Sequence, residues 1–361
     1  MRRYVAFWGA FASRAAVQFE TRRHVGANAI TLPCTVGDAR NNHRRRSHAR
    51  RPLAEPGNAE QLAAEVAALD NRACLAAHGE LAVYCADSRD IPHLLQEIGR
   101  LRELTFRATG EGTGRARDID LFDSYYQHLF IWHNVRKEIV GAYRLGEADK
   151  IVARYGKKGL YTRSLFRFGR PLLAQLNPAL ELGRSFIRPE YQRSFTPLML
   201  LWKGIGAYVA DNPQYRVLFG PVSISADYQT VSRQLLVDFL TANSYLPELA
   251  RFVRPRRPFR QTMRHRNIAL TIPTDAEQIS QLLEQLEHDG KGMPVLLRQY
   301  LKLGGRVLGF SVDRAFANVL DGLIMVDLTE TDPKVLARYM GRTKAAQFLA
   351  HHAASQAQAA G

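Results

Sequence analysis

The sequence predicts an α/β (α+β) domain, with strands gathered around a few helices in one mixed layer. Three observations carry this. Apolar residues make up 46% of 361, enough to build a sizeable core. Runs that alternate apolar and polar residues stand among runs with apolar residues at helical spacing, a pattern that fits one mixed layer. No apolar run approaches the length needed to span a bilayer.

Folded sequence is expected to begin near Ala59. EQLAAEVAALD reads as a short amphipathic helix, and GELAVYCAD alternates like a strand. Asp90 can cap a following helix whose Leu94, Leu95, Ile98, Leu101 and Leu104 form one apolar stripe. That helix stops at ATGEGTG, a loop with three glycines. YYQHLFIWH and EIVGAYRL flank Asn-Val-Arg-Lys and read as a β-hairpin. GLYTRSLF and ALELGRSFI are further strand candidates. PLMLLWKGIGAYVA is a buried helix with proline in its first turn. YRVLFGPVS is a short central strand and TVSRQLLVDFLTANS an amphipathic helix. After an Arg-rich interruption come two helices (AEQISQLLEQLE, PVLLRQYLKLG), two strands (RVLGFSV, LDGLIMVDL) and a helix near DPKVLARYMG.

Charge divides the chain. Lys and Arg number 50 against 34 Asp and Glu, a formal +16. Residues 1–60 hold eleven Arg and four acids, and residues 251–266 hold seven Arg and no acid. The remainder is close to balance. Such segments suit nucleic acid, anionic lipid or an acidic protein. No nucleic-acid-binding signature accompanies the arginines, which argues against the first. Residues 1–58 read as a basic leader and poorly ordered linker, 59–345 as the folded domain, and 346–361 as a helical end and tail. Tyr4, Trp8, Phe11, Ala15 and Phe19 fall at helical spacing, as in a helix lying on a membrane surface. Three cysteines without a C-x-x-C fit a reducing cytoplasm and no metal site.

Several constellations could do chemistry. Glu181 and Arg184 would face opposite sides of an ideal strand, and Gly183 between them permits a bulge that re-aims one of them. A strand carboxylate held by arginine can deprotonate an amine, or can be a structural ion pair. Asp118, Asp120 and Asp123 crowd into six residues. They lack an EF-hand's glycine and terminal Glu and suit an ammonium group better. His128 and His133 read as one core and one surface histidine. No nucleophile elbow and no Walker loop occur in the sequence.

Taken in order, IGRLRELTFR, GEGTG, RDIDLFD, EIVGAYRL, ELGRSFIRPEYQR, LLWKGIG and YRVLFGPVSIS resemble the ornithine-lipid N-acyltransferases. These form a hemolysin-like branch of the GNAT superfamily and are similar to acyl-homoserine lactone synthases. PVLLRQYLKLGG and VLDGLIMVDL match the family's C-terminal half. The resemblance runs from about Ala59 to Gly341. It implies a GNAT-like, mostly antiparallel mixed sheet flanked by helices, with C-terminal helix-strand additions.

The same resemblance implies transfer of a 3-hydroxy fatty acyl group from acyl carrier protein to the α-amine of ornithine. No tightly bound cofactor is implied; the carrier's 4′-phosphopantetheine thioester is a co-substrate. By motif, Glu181 is the general base, oriented by Arg184. Arg102 and Phe106 open the acceptor side, Asp120 and Asp123 hold the acceptor's cationic amine, and Arg144 ties those acids or the acceptor carboxylate in place. A strand N–H near Ser185 or Phe186 holds the oxyanion. The turn after the strand lacks the glycines of a coenzyme A cradle, and a single phosphodiester needs no such nest. Arg188 and Arg193, with the arginines of 251–266, would meet the acidic carrier. Phe130, Phe186, Leu200 and Trp202 would line an acyl cleft. The enzyme is expected in the cytoplasm, peripheral on the inner membrane. A homoserine lactone synthase-like enzyme and a non-catalytic membrane-surface protein are the alternatives.

Overall fold

The computed structural model describes residues 51–260 and 272–360. The leader before Arg51, Cys34 and residues 261–271 of the Arg-rich segment lie outside the described residues. An eight-stranded sheet organises the chain: β1 (Cys74–His78), β2 (Leu81–Asp87), β3 (Gln127–His133), β4 (Glu138–Glu147), β6 (Ala179–Ile187), β7 (Val217–Ile224), β10 (Val319–Asp327) and β9 (Arg306–Asp313), in that spatial order. Every neighbouring pair is antiparallel except β6 and β7. A separate two-stranded ribbon pairs β5 (Phe166–Phe168) with β8 (Val253–Pro255). The GNAT-like mixed sheet expected from the sequence is therefore present.

Helices cover both faces. One face carries α5 (Thr196–Asp211), α6 (Thr230–Asn243), α8 (Ala276–Leu286), α9 (Val295–Lys302), α10 (Pro333–Met340) and α11 (Arg342–Ala360) over the largest core cluster. The other face carries α1 (Ala59–Ala68) and α2 (Pro92–Ala108) at one end. Towards the other end it carries α3 (Ala148–Tyr155), α4 (Arg170–Gln175) and the β5–β8 ribbon, beside the short α7 (Pro247–Ala250). The central strands, covered twice, are buried almost continuously, which explains why LFIW and IVGAYRL alternate so weakly. The stripe of α2 is buried as its spacing predicts. Leu94, Ile98 and Leu101 are each within about 1% exposure, worth roughly 1.5–3 kcal/mol apiece.

Several local expectations need correcting. Asp90 does not cap α2; the N-cap position is Ile91 and has no side-chain bond. The cap comes from α1, whose Glu65 carboxylate accepts the N–H of His93 and of Leu94, each at 2.8 Å. The folded domain begins before residue 59. Arg51 and Ala54 donate backbone bonds to Gly114 and Ala116, and Gly57 donates to Glu97. The boundary expected at 345/346 falls inside α11, where Phe348 is buried in the core. GLYTRSLF supplies only a three-residue strand after two 3₁₀ turns. β1 was not read from the sequence. Both His128 and His133 are buried.

Candidate active site

β6 and β7 run parallel but pair through only three residue couples, Ala179–Val217 to Glu181–Phe219. Beyond them the strands diverge, and a cleft of about 540 Å³ opens. Ser185, Phe186 and Ile187 line it from β6, and Ser223 and Ser225 from β7 and its exit. Phe106 and Glu111 close it from the end of α2, and Ser194 and Leu198 from the start of α5. The cleft thus passes through the sheet, open to both layers.

A bulge shapes the β6 side. Ala142 faces Phe186 and Arg144 faces Gly183, so Arg184 and Ser185 together oppose one residue of β4. The left-handed conformation falls on Arg184, at φ 52°, and not on Gly183. The surroundings stabilise this unusual backbone. Arg184 Nε lies 3.1 Å from Asp118, its Nη1 donates to the Tyr161 hydroxyl at 3.1 Å, and its guanidinium covers the Tyr161 and Phe316 rings. Such strain persists where the environment over-determines it.

The three aspartates meet three arginines. Arg102 grips Asp123 with two 2.8 Å bonds and also donates to the Asp118 carbonyl. Arg144 Nη1 donates to Asp120 at 2.7 Å and to Asp123 at 3.1 Å. The adjacent Arg102 guanidinium holds the Asp123 carboxyl far below the usual carboxylate range, against the opposing effect of burial. Arg102, Arg144, Asp118 and Asp123 are buried and Asp120 is half-buried. This set is electrically matched. The expected ammonium site at Asp120 and Asp123 is occupied by the protein's own guanidinium groups, and Arg144 does tie those two acids together.

Glu181 is also already engaged. Its carboxylate accepts the N–H of Thr162 at 2.6 Å and of Tyr161 at 3.0 Å, and the hydroxyl of Tyr126. It is 1% exposed and is not among the residues lining the cleft. Burial raises its pKa. The geometry does not bring Glu181 to an acceptor amine, and no hydrogen bond joins it to Arg184. The two communicate only through Tyr161.

A different carboxylate, Glu111, does face the cleft, on a loop that Glu103 holds in place. Glu103, fully buried, accepts the N–H and hydroxyl of Thr113, the N–H of Gly114 and the Nε of Arg107, all at 2.7–2.9 Å. The GEGTG loop winds around this carboxylate. Gly110 turns the chain at φ 72°, and a β-carbon there would lie 2.2 Å from Asp227 Oδ2, so glycine lets the loop meet the β7–α6 turn without strain or displacement of Asp227. The N–H of Glu111 donates to Phe106, which sets its side chain in the cleft wall. Burial, then Asp321 and Asp227, push the Glu111 carboxyl up to about 8.

Asp321 lies on the same sheet face, opposite Ser223 and Ser311 in register. It accepts the Ser223 hydroxyl at 2.7 Å, and burial pushes it up to about 7. Among the described residues, Glu111, Asp227 and Asp321 have no ion-pair partner. Sequence reasoning missed Glu111, Ser223 and Asp321. One signal was present: Asp321 interrupts the apolar VLDGLIMV.

The remaining expected positions divide. Phe106, Ser185 and Phe186 line the cleft. Phe130, Leu200 and Trp202 are core, stacked on Tyr84 or packed under α9 and α10. Arg188 is held by Glu138 at 2.5 Å and Glu190 at 3.3 Å, so its charge is largely matched. Arg193 is exposed beside the start of α5.

Residues 101–203 match the acetyltransferase (GNAT) domain family. The chain is 30% identical over 274 residues to the glycine N(alpha)-acyltransferase of Phocaeicola vulgatus, covering 69% of this chain and 80% of that protein. This chain is a GNAT-type N-acyltransferase. It is also 30% identical over 233 residues to the L-ornithine N(alpha)-acyltransferase of Rhodobacter capsulatus, covering 63% of this chain and 81% of that protein. A similar relative, 28% identical over 293 residues, is the glycine N(alpha)-acyltransferase of Bacteroides thetaiotaomicron. No solved structure matches. The family match spans the second half of α2, the aspartate loop, β3, β4, β6 and the first half of α5; of these, α2, β6 and α5 supply residues that line the acyltransferase's cleft. No helix among the described residues is long and apolar enough to cross a membrane.

Proposed function

We propose that this acyltransferase moves a 3-hydroxy fatty acyl group from acyl carrier protein to the α-amine of L-ornithine, the first step of ornithine lipid synthesis. One observation carries the acceptor. Glu111 and Asp227 at the cleft, with Asp321 behind Ser223, make no side-chain ion pair, and Lys291 in the same lining is held by Glu287 and Asp289. Ornithine brings a second ammonium, which favours the ionised form of these carboxyls and pairs with it; glycine does not.

In the proposed reaction the acceptor arrives as an α-ammonium and gives one proton to the ionised form of Glu111, whose share grows as pH rises towards about 8. A carboxyl near 8 exchanges a proton with an amine far better than an ordinary carboxylate does at neutral pH. The freed amine attacks the thioester carbonyl. A backbone N–H in the β6 bulge at Ser185, where β6 has parted from β7, holds the oxyanion. The C–N bond forms, the C–S bond breaks, and the nitrogen's second proton passes to the departing thiolate, which leaves as the free thiol. No covalent enzyme intermediate is needed. The carrier's single phosphodiester meets the positive end of α5 and Arg193.

A second reading is glycine as acceptor, favoured by two relatives that are glycine N(alpha)-acyltransferases. Purified enzyme incubated with 3-hydroxyacyl carrier protein and a panel of amines separates the readings. Thiol release that requires ornithine, with an N-acyl-ornithine product by mass spectrometry, supports the proposal. Release with glycine in preference to ornithine overturns the acceptor assignment and retains the chemistry.

A further inference from the structure

The layer built from α3, α4 and the β5–β8 ribbon is strongly basic on its outside. Residues 150–170 carry seven Lys or Arg and residues 251–260 five Arg, with no acid in either. The ribbon shows how these charges are displayed. Phe166, Phe168 and Val253 turn inward to the core, while Arg167 and Arg254 lie directly opposite each other and are exposed. Like charges facing across strands destabilise a ribbon. The scaffold holds them there regardless. The Arg256 N–H donates to Leu165 and its Nε to the Arg163 carbonyl, while Arg163 donates to Phe166. Among the described residues, Arg163, Arg167, Arg254, Arg256 and Arg257 make no ion pair. The flanking arginines lower the pKa of Arg163 further, after burial.

Apolar tips stand on this layer and beside it. Tyr155, at the end of α3, is 42% exposed, and Leu121, in the adjoining aspartate loop, 76%. Tyr155 packs on Tyr125, whose hydroxyl donates to Gly159 just before the ribbon. A depression of about 380 Å³ between ribbon and β9, lined by Arg167, Arg256, Arg257, Ser164, Ser311 and one acid, Asp313, has room for a phosphate group.

We propose that this arginine ribbon and its apolar tips dock the enzyme on an anionic membrane surface. Broad positive charge with protruding apolar side chains suits the charged plane of a bilayer. The ribbon covers the sheet face opposite α5, so an enzyme seated on it keeps the α5 mouth of the cleft towards the carrier protein. The acylated product, an amphiphile, then forms beside the bilayer.

The test is co-sedimentation of the full chain with vesicles of phosphatidylcholine containing phosphatidylglycerol, against phosphatidylcholine alone. The variant is Arg167→Gln/Arg254→Gln/Arg257→Gln, in which every altered side chain is exposed. The control removes the same charge from the α5 face, as Lys334→Gln/Arg338→Gln/Arg342→Gln. The ribbon variant is expected to lose on the order of 100-fold in binding to anionic vesicles, and the control far less. Equal loss in both, or no loss in the ribbon variant, overturns the proposal. So does unchanged vesicle binding with a raised KM for the acyl carrier protein, which assigns the ribbon to the carrier. Turnover on soluble substrates without vesicles reads the proposed reaction separately.

Discussion

The N–H of Thr162 donates to Glu181 Oε1 at 2.6 Å, and that of Tyr161 to Oε2 at 3.0 Å. A carboxylate holding two successive backbone amides fastens a turn, and this turn carries the Tyr161 ring against which Arg184 stacks. Glu181→Gln replaces one acceptor oxygen with a donor and leaves one of these N–H groups facing it. A stability loss of about 1–3 kcal/mol in urea denaturation is expected, with turnover of the folded fraction within about tenfold of wild type. A loss of 10²-fold or more at undiminished stability, the size of a missing general base, would return the proton-transfer role to Glu181.

Asp123 anchors the matched ion cluster through Arg102 and Arg144. Asp123→Asn leaves two buried guanidinium groups without their shared counter-charge. Breaking one side of such a network typically costs about 3–5 kcal/mol, and denaturant midpoints should fall accordingly. Wild-type stability in this variant would show that the cluster tolerates an uncompensated charge.

Gly110→Ala tests the contact between loop and rim. The substitution forces a left-handed alanine, about 1–2 kcal/mol, and pushes Asp227 aside. The KM for ornithine should rise more than the KM for any acceptor without a second ammonium. Equal changes for both would separate Asp227 from acceptor choice.

The raised carboxyls also set a pH dependence of stability. Glu111 near 8 and Asp321 near 7 both keep their protons in the folded state at pH values where the unfolded chain has released them. The folded state then binds more protons, so stability falls as pH rises from the ordinary carboxylate range through about 8. Glu111→Gln/Asp321→Asn should flatten that fall in melting temperature. A double variant as pH-sensitive as wild type would remove these two groups as its source.

Much of this was legible in the sequence, and the failures share a cause. The apolar stripe located α2, and near-continuous apolar runs bounded by turn residues located the β3–β4 hairpin, β6, α5 and β10, because these elements are buried. The Gly183 neighbourhood announced a bulge, although the left-handed residue proved to be Arg184, held by Asp118 and Tyr161 from elsewhere in the chain. Motif reading singled out Arg102, Asp120, Asp123 and Arg144, which the fold brings together. It could not reveal that the acids are matched by arginines, because charge balance depends on which side chains meet. The helix cap from Glu65, the Glu103 staple and the face shared by Glu111 and Asp321 are long-range in the same way. A short, irregular chain such as β5 or β8 carries too few residues for a period to show.

The most direct test of the account is the single-turnover rate of acyl transfer from 3-hydroxyacyl carrier protein to ornithine, followed by thiol release across neutral pH. Wild type should accelerate as pH rises towards about 8. Glu111→Gln should be slower by roughly 10²–10⁴-fold, with ornithine still bound and the fold intact. A Glu111→Gln enzyme that transfers at the wild-type rate would contradict the assignment of Glu111 as the group that takes the acceptor's proton.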